Sequence, residues 1–181
     1  MRERALPEEL PMLGIVERFD GSTVLRVGNG TFQIALGRGG VGTDKHEGDG
    51  VTPVGILPLR RVLVRADRLM AGELPVLAAG IPCDRIAPYD GWCDDSVHPD
   101  YNTAVTLPHG GRHERLWRED ELYDIVGVLG WNDTPVVHGR GSAIFLHVAG
   151  CEFGPTEGCL ALARTDLLAV LGAGLSGIEV V

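Results

Sequence analysis

Near the start of the chain, hydrophobic and polar positions alternate in short runs, each stopped by a turn signal. Leu13 to Phe19 ends at Asp20-Gly21, Thr23 to Val27 ends at Gly28-Asn29-Gly30, and Thr31 to Leu36 ends at the glycine-rich stretch Gly37 to Gly42. This pattern predicts three consecutive antiparallel strands. The segment that follows is polar, then turn-rich, then extended; Pro53 and Pro58 deny it a helix, and a strand resumes over Arg60 to Arg65. Arg65 to Leu77 reads as turns or an extended excursion. Ala87 to Asp95 reads as a loop carrying Tyr89 and Trp92, and His98 to Asn102 as a polar loop. A helical turn is expected around Leu116 to Asp120. Tyr123 to Leu129, Ile144 to Val148 and Ile178 to Val181 are apolar enough to be strands. Thr165 to Leu171 is the clearest helix, with Asp166 at its positive end and Gly172 and Gly174 to stop it. Many short strands and one helix predict a mainly β domain. No repeat or linker divides it, so one domain is expected over residues 13–181 behind an N-terminal extension, 1–12.

At 181 residues the chain can build a real core. The formal net charge of −9 argues against nucleic acid or an anionic membrane surface as the main partner. No apolar stretch approaches the roughly 18–20 residues that span a bilayer, so no integral membrane segment is expected. Met1 to Leu10 has mixed charges and no long apolar core, unlike a secretory signal. Gly37 to Gly42 lacks the Lys-Ser/Thr ending and following helix of a phosphate-binding loop.

Candidate chemistry lies near the C-terminus. His147 ends an apolar strand, and Cys159 follows on a glycine-marked turn just before the expected helix. Both a nearby imidazolium and a helix N-terminus favour the reactive thiolate, so the pair reads as nucleophile and base. His109-Gly-Gly-Arg-His113 has the spacing of zinc-binding helices, but its two glycines and Pro108 argue against a helix there. No Cys-x-x-Cys exists, and neither metal nor cofactor is expected. With Cys159 free, at most one disulfide can form among Cys83, Cys93 and Cys151; Cys83 and Cys93 are nearest in sequence. Cys151 reads as a core or loop residue, or as a redox partner of Cys159.

Around these residues the chain resembles the L,D-transpeptidase catalytic domain, the YkuD-type family. His147, then Thr156-Glu157-Gly158-Cys159, then Leu160-Ala161-Leu162-Ala163 is similar to that family's histidine strand, Ser/Thr-x-Gly-Cys turn and small-apolar lead into a helix. Asp49-Gly50-Val51-Thr52-Pro53-Val54-Gly55, with Lys45 just before it, resembles the family's upstream block. Asp90-Gly-Trp-Cys-Asp-Asp and Gly139-Arg-Gly-Ser-Ala-Ile-Phe-Leu-His resemble a subgroup of these proteins. Glu157 and Ala161 stand where better-known members carry histidine and arginine, which bears on substrate preference.

The resemblance implies a sandwich- or barrel-like β fold and transfer of a peptidoglycan stem-peptide acyl group through a thioester, in building or remodelling the cell wall. Cys159 is then the nucleophile and His147 the base. Gly158 permits the sharp turn, and the Gly158 and Cys159 amides are candidate oxyanion donors. Candidate substrate-binding residues are His138, Arg140 for a substrate carboxylate, Ser142, Thr156 and Trp92. Ser142 is also one candidate for orienting His147, which the sequence does not otherwise resolve. Two alternatives stay open: an L,D-endo- or carboxypeptidase with the same pair, and a non-catalytic wall-binding module. The family implies the periplasm or cell envelope, whereas the N-terminus reads as unexported, so a cytoplasmic location is also open.

Overall fold

The fold was obtained as a computed structural model that describes residues 12–20 and 22–181. The N-terminal extension, apart from Met12, and Gly21 of the first hairpin lie outside the described residues. The strands are β1 (Met12–Phe19), β2 (Ser22–Val27), β3 (Gly30–Gln33), β4 (Val41–Gly42), β5 (Thr52–Pro53), β6 (Gly55–Val64), β7 (Cys83–Arg85), β8 (Asp90–Cys93), β9 (Ala104–Thr106), β10 (His113–Arg115), β11 (Ile125–Leu129), β12 (Phe145–Val148) and β13 (Leu160–Leu162). The helix α1 (Arg164–Gly172) and β14 (Leu175–Val180) complete the chain.

The main sheet runs β13-β12-β11-β6-β14-β1-β2-β3. Its two ends meet: Ala35, just past β3, exchanges both backbone hydrogen bonds with Ala161 of β13, each at 2.9 Å. The sheet therefore curls into a nearly closed barrel, which removes its exposed edges. Leu25, Leu57, Val62, Ile125, Leu146, Leu160 and Ile178 fill the interior, joined by Leu167, Val170 and Leu171 of α1. The helix ends as expected, with Gly174 at φ +86° donating its amide to the Leu171 carbonyl.

The β1–β2–β3 meander is antiparallel as expected. The stretch around Pro58 is extended, as expected. β6 is one ten-residue strand running straight through it. Proline is tolerated because the strand changes neighbours there, pairing β14 up to Pro58 and β11 from Leu59 onward.

Two expectations are corrected. Part of the Tyr89–Trp92 loop is strand β8, the centre of a small sheet ordered β10-β8-β9. The helical turn around Leu116 to Asp120 does not form. Leu116 instead buries beneath the small sheet, and the Arg65 guanidinium stacks 3.4 Å over the Trp117 ring.

This small sheet explains why β12 is buried on both faces. Leu146 and Val148 point into the barrel, while Phe145 points outward beneath Trp92, with ring centroids 5.3 Å apart. His147 shares the outward face of Phe145.

Candidate active site

Beside the small sheet, on the outer face of β12, a cavity of about 870 Å³ opens. Cys159 and His147 both line it. β12 and β13 are parallel, with His147 opposite Ala161, and this pairing brings the histidine and the cysteine to one wall.

The nucleophile turn is held from several sides. Thr156 exchanges backbone bonds with the 36–38 segment, through its amide to Leu36 and its carbonyl from Arg38. The fully buried Thr52 accepts the Gly37 amide at 2.8 Å and donates its hydroxyl to the Gly158 carbonyl at 3.0 Å. One hydroxyl thus ties three backbone segments together. The packing is so close that a Cβ on Gly37 would lie 2.0 Å from the Gly50 carbonyl oxygen. This close approach is what the glycine-rich 37–42 stretch serves. Gly158 has φ +127°, and a Cβ there would stand 2.9 Å from the Val51 carbonyl oxygen.

The sequence reading placed Cys159 at a helix entrance. The structure corrects this: β13 intervenes and α1 starts only at Arg164, so no helix N-terminus faces the sulfur. The Cys159 thiol donates to the Ala143 carbonyl at 3.1 Å and accepts from the Phe145 amide at 3.4 Å. Burial, reinforced by the Glu114 carboxylate, pushes its pKa up to about 12; the Phe145 amide and Lys45 act the other way. The resting sulfur is therefore a thiol.

His147 is buried, and Nδ1 lies 2.8 Å from the Val148 carbonyl. A carbonyl only accepts, so Nδ1 carries the hydrogen and Nε2 carries the lone pair. No buried side-chain nitrogen or oxygen among the described residues lacks a partner, so the unpaired Nε2 opens to the cavity. Burial lowers the pKa of His147 despite that carbonyl, which keeps the ring neutral at pH 7. The group orienting the ring is thus a backbone carbonyl. Ser142 has another partner, donating to Glu47 at 2.8 Å. No hydrogen bond joins His147 to Cys159.

Of the residues read as substrate-binding, Ser142 and Thr156 line this cavity. Thr156 also accepts the Gly158 amide at 3.2 Å and donates to the Cys159 carbonyl at 2.7 Å. That engages the Gly158 amide, while the Cys159 amide has no hydrogen-bond partner among the described residues. His138, Arg140 and Trp92 do not reach the cavity. His138 is exposed, stacks on Tyr101 and bonds the Ser96 carbonyl. Arg140 is exposed with its guanidinium 5.6 Å from the Trp131 ring centroid. Trp92 packs on Phe145 and donates to Asn102.

The sequence reading missed several lining groups. Lys45, the chain's sole lysine, is buried and donates to Asp49 and to the His46 carbonyl. Burial alone would raise the Asp49 pKa, but Lys45 and the His46 and Val51 amides hold it below the usual range. Its place in the Lys45–Gly55 block was the available signal. Tyr123 stands beside His147, ring centroids 5.4 Å apart, and donates to Glu114 at 2.6 Å. Burial and the nearby Cys159 and Glu114 push the Tyr123 hydroxyl far above its ordinary pKa. Arg112 and Arg118 also line the cavity, Arg112 paired with Asp94 and Glu47 and Arg118 with Asp120 and Glu114. Ala161 lines it too, and Glu157 on its rim pairs with Arg38. All four cysteines are free, with Cys83 and Cys151 exposed.

This is a mainly β, nearly closed barrel-like fold with a single helix among the described residues and a cavity holding a cysteine and a neutral histidine. The model of the YkuD family, the L,D-transpeptidase catalytic domain, matches residues 19–181, and the chain belongs to that family. The crystal structure of Mycobacterium tuberculosis L,D-transpeptidase 1 is similar at 14% identity and TM-score 0.39, over 94% of this chain and 61% of that one. The chain thus spans about three fifths of the length of that relative. No curated protein sequence matches the chain. Among the described residues, no helix is long and apolar enough to cross a membrane.

Proposed function

We propose that this chain is a cysteine-dependent L,D-transpeptidase acting on peptidoglycan stem peptides at the cell envelope. The observation that carries the reading is the shared cavity wall. Cys159 presents sulfur, and His147 presents the lone pair of Nε2, in a chain of the L,D-transpeptidase catalytic domain family.

In the first half-reaction the thiol leaves its bond to Ala143, and His147 Nε2 takes its proton. Sulfur attacks the donor carbonyl next to a D-amino acid, and the carbonyl π electrons move to oxygen. The Cys159 amide is the donor assigned here to that oxyanion. Collapse forms the thioester and expels the D-amino acid, whose nitrogen receives the proton from His147. In the second half-reaction the acceptor amine attacks the thioester, His147 removes the amine proton, and sulfur leaves and is reprotonated. Separate contacts hold the thiol and the imidazole in the resting state, and catalytic hydrogen bonds of this kind tighten when substrate arrives. Arg112 and Arg118, which line the cavity and pair with Asp94 and Asp120, are the residues assigned here to a substrate carboxylate.

A labelled stem tetrapeptide, incubated with and without an added D-amino acid, tests the reading. Exchange of the terminal residue, absent in Cys159→Ala, supports transfer. Shortened peptide alone, from an active Cys159, identifies a hydrolase instead.

A further inference from the structure

Away from this cavity, on the loops of the small sheet, Cys93, His98 and His109 converge. One potential ligand atom from each lies within 4.8 Å of the others. We propose that these three side chains form a binding site for a thiophilic divalent cation, with Zn²⁺ the best match.

The site is built by backbone bonds rather than by chance proximity of mobile side chains. Cys93 ends β8 and is fully buried. The loop after it folds back, so that the Asn102 amide bonds the Cys93 carbonyl and the Cys93 amide bonds the Thr103 carbonyl, both at 2.9 Å. Within this loop the His98 amide donates to the Asp95 carbonyl at 2.9 Å. His109 enters from the β9–β10 connection, its ring centroid 4.5 Å from that of His98. The His98 Nδ1 accepts the Asp100 amide at 3.2 Å, which leaves its Nε2 for a metal. His109 Nδ1 accepts the Gly111 amide at 3.2 Å, which leaves its Nε2 for the metal; the Asp100 carboxylate, 3.2 Å from that nitrogen, gives it up to the ion on binding.

The donor set selects the ion. One thiolate and two imidazoles suit Zn²⁺ and its neighbours, while Mg²⁺ and Ca²⁺ take oxygen. Tetrahedral zinc with ordinary bond lengths needs donors roughly 3.3–3.6 Å apart, so closure by about an ångström completes the site. Binding replaces the Cys93 thiol proton, releasing one proton to solvent and leaving the sulfur as a thiolate ligand. The fourth position is water, since His98 keeps 29% of its side-chain surface exposed.

The same loop reaches the candidate active site. Tyr101 donates to Glu47, which also holds Ser142, and Asn102 accepts the amide of Ala143, the residue whose carbonyl receives the Cys159 thiol. A metal at Cys93 pins this loop and, through it, one wall of the cavity.

Reduced, metal-free full-length chain titrated with Zn²⁺, and separately with Co²⁺ as an optical probe, tests the proposal. One Zn²⁺ per chain is expected, with a tetrahedral thiolate–Co²⁺ absorption. Both persist in Cys159→Ala and in Cys83→Ser/Cys151→Ser. Both weaken about 100-fold or more in His98→Gln/His109→Gln, a variant at partly exposed positions that keeps buried Cys93 in place. Absence of binding in the parent chain overturns the proposal. So does binding that survives His98→Gln/His109→Gln or is lost with Cys159→Ala. None of these results depends on transpeptidase activity.

Discussion

The thiol of Cys159 donates to the carbonyl of Ala143 at 3.1 Å, a bond that only protonated sulfur can make. With burial pushing the pKa up to about 12, the nucleophile rests in an unreactive form. Iodoacetamide at pH 7 is therefore expected to modify exposed Cys83 and Cys151 well before Cys159, as read by peptide mass mapping. The Cys159 rate should keep climbing past pH 9. Rapid labelling of Cys159 at pH 7 without substrate would show that the sulfur is already ionised.

His147 supplies a pH prediction with a definite sign. Its folded pKa lies below the ordinary histidine value because of burial. The acid limb of kcat/KM should thus fall below about 6.5. The depressed value also contributes stability that is fully present above the unfolded pKa and lost as pH falls through the folded one. His147→Gln should abolish most turnover and flatten the stability loss below about pH 6.5, measured by urea titration at several pH values.

Thr52 is the test of the clamp. Thr52→Val keeps the shape but strands the Gly37 amide and the Gly158 carbonyl, each costing about 1–3 kcal/mol. A clear drop in urea midpoint and in kcat is expected, with Thr52→Ser close to the parent chain.

Gly158→Ala separates geometry from folding. The positive φ and the Val51 carbonyl leave no easy place for a methyl group, a strain of about 1–3 kcal/mol. It should lower kcat at least about tenfold if that strain is expressed at the turn, with native circular dichroism retained.

Arg112 and Arg140 discriminate the carboxylate subsite. A charged hydrogen bond contributes about 1.5–3 kcal/mol. Arg112→Ala should therefore cut kcat/KM for a stem-peptide donor by roughly 10- to 100-fold. Arg140→Ala, against Trp131 and away from the cavity, should leave it unchanged.

Local signals carried some of this architecture and not the rest. The meander was legible because Asp20-Gly21 and Gly28-Asn29-Gly30 mark their own turns, and α1 because Gly174 stops it. β8 was not, because Asp90-Gly91-Trp92-Cys93 has weak strand propensity and forms only by pairing with β9 and β10. Leu160-Ala161-Leu162 suits helix or strand equally. Pairing with β12 and with Ala35 decides it, and so removes the helix dipole from Cys159. Thr52, Lys45 and Tyr123 meet the nucleophile turn across long stretches of chain, and no spacing rule reveals that. His109 suggested His113 by spacing, whereas the fold brings it to Cys93 and His98.

The central claim is covalent acyl transfer through Cys159, and intact-protein mass spectrometry after brief incubation with a stem tetrapeptide tests it most directly. The parent chain should gain the mass of the donor less its terminal D-amino acid, mapped to Cys159. His147→Gln should form the adduct far more slowly, and Cys159→Ala should not form it. A donor turned over with Cys159 absent, or an adduct mapped to another residue, would contradict the account.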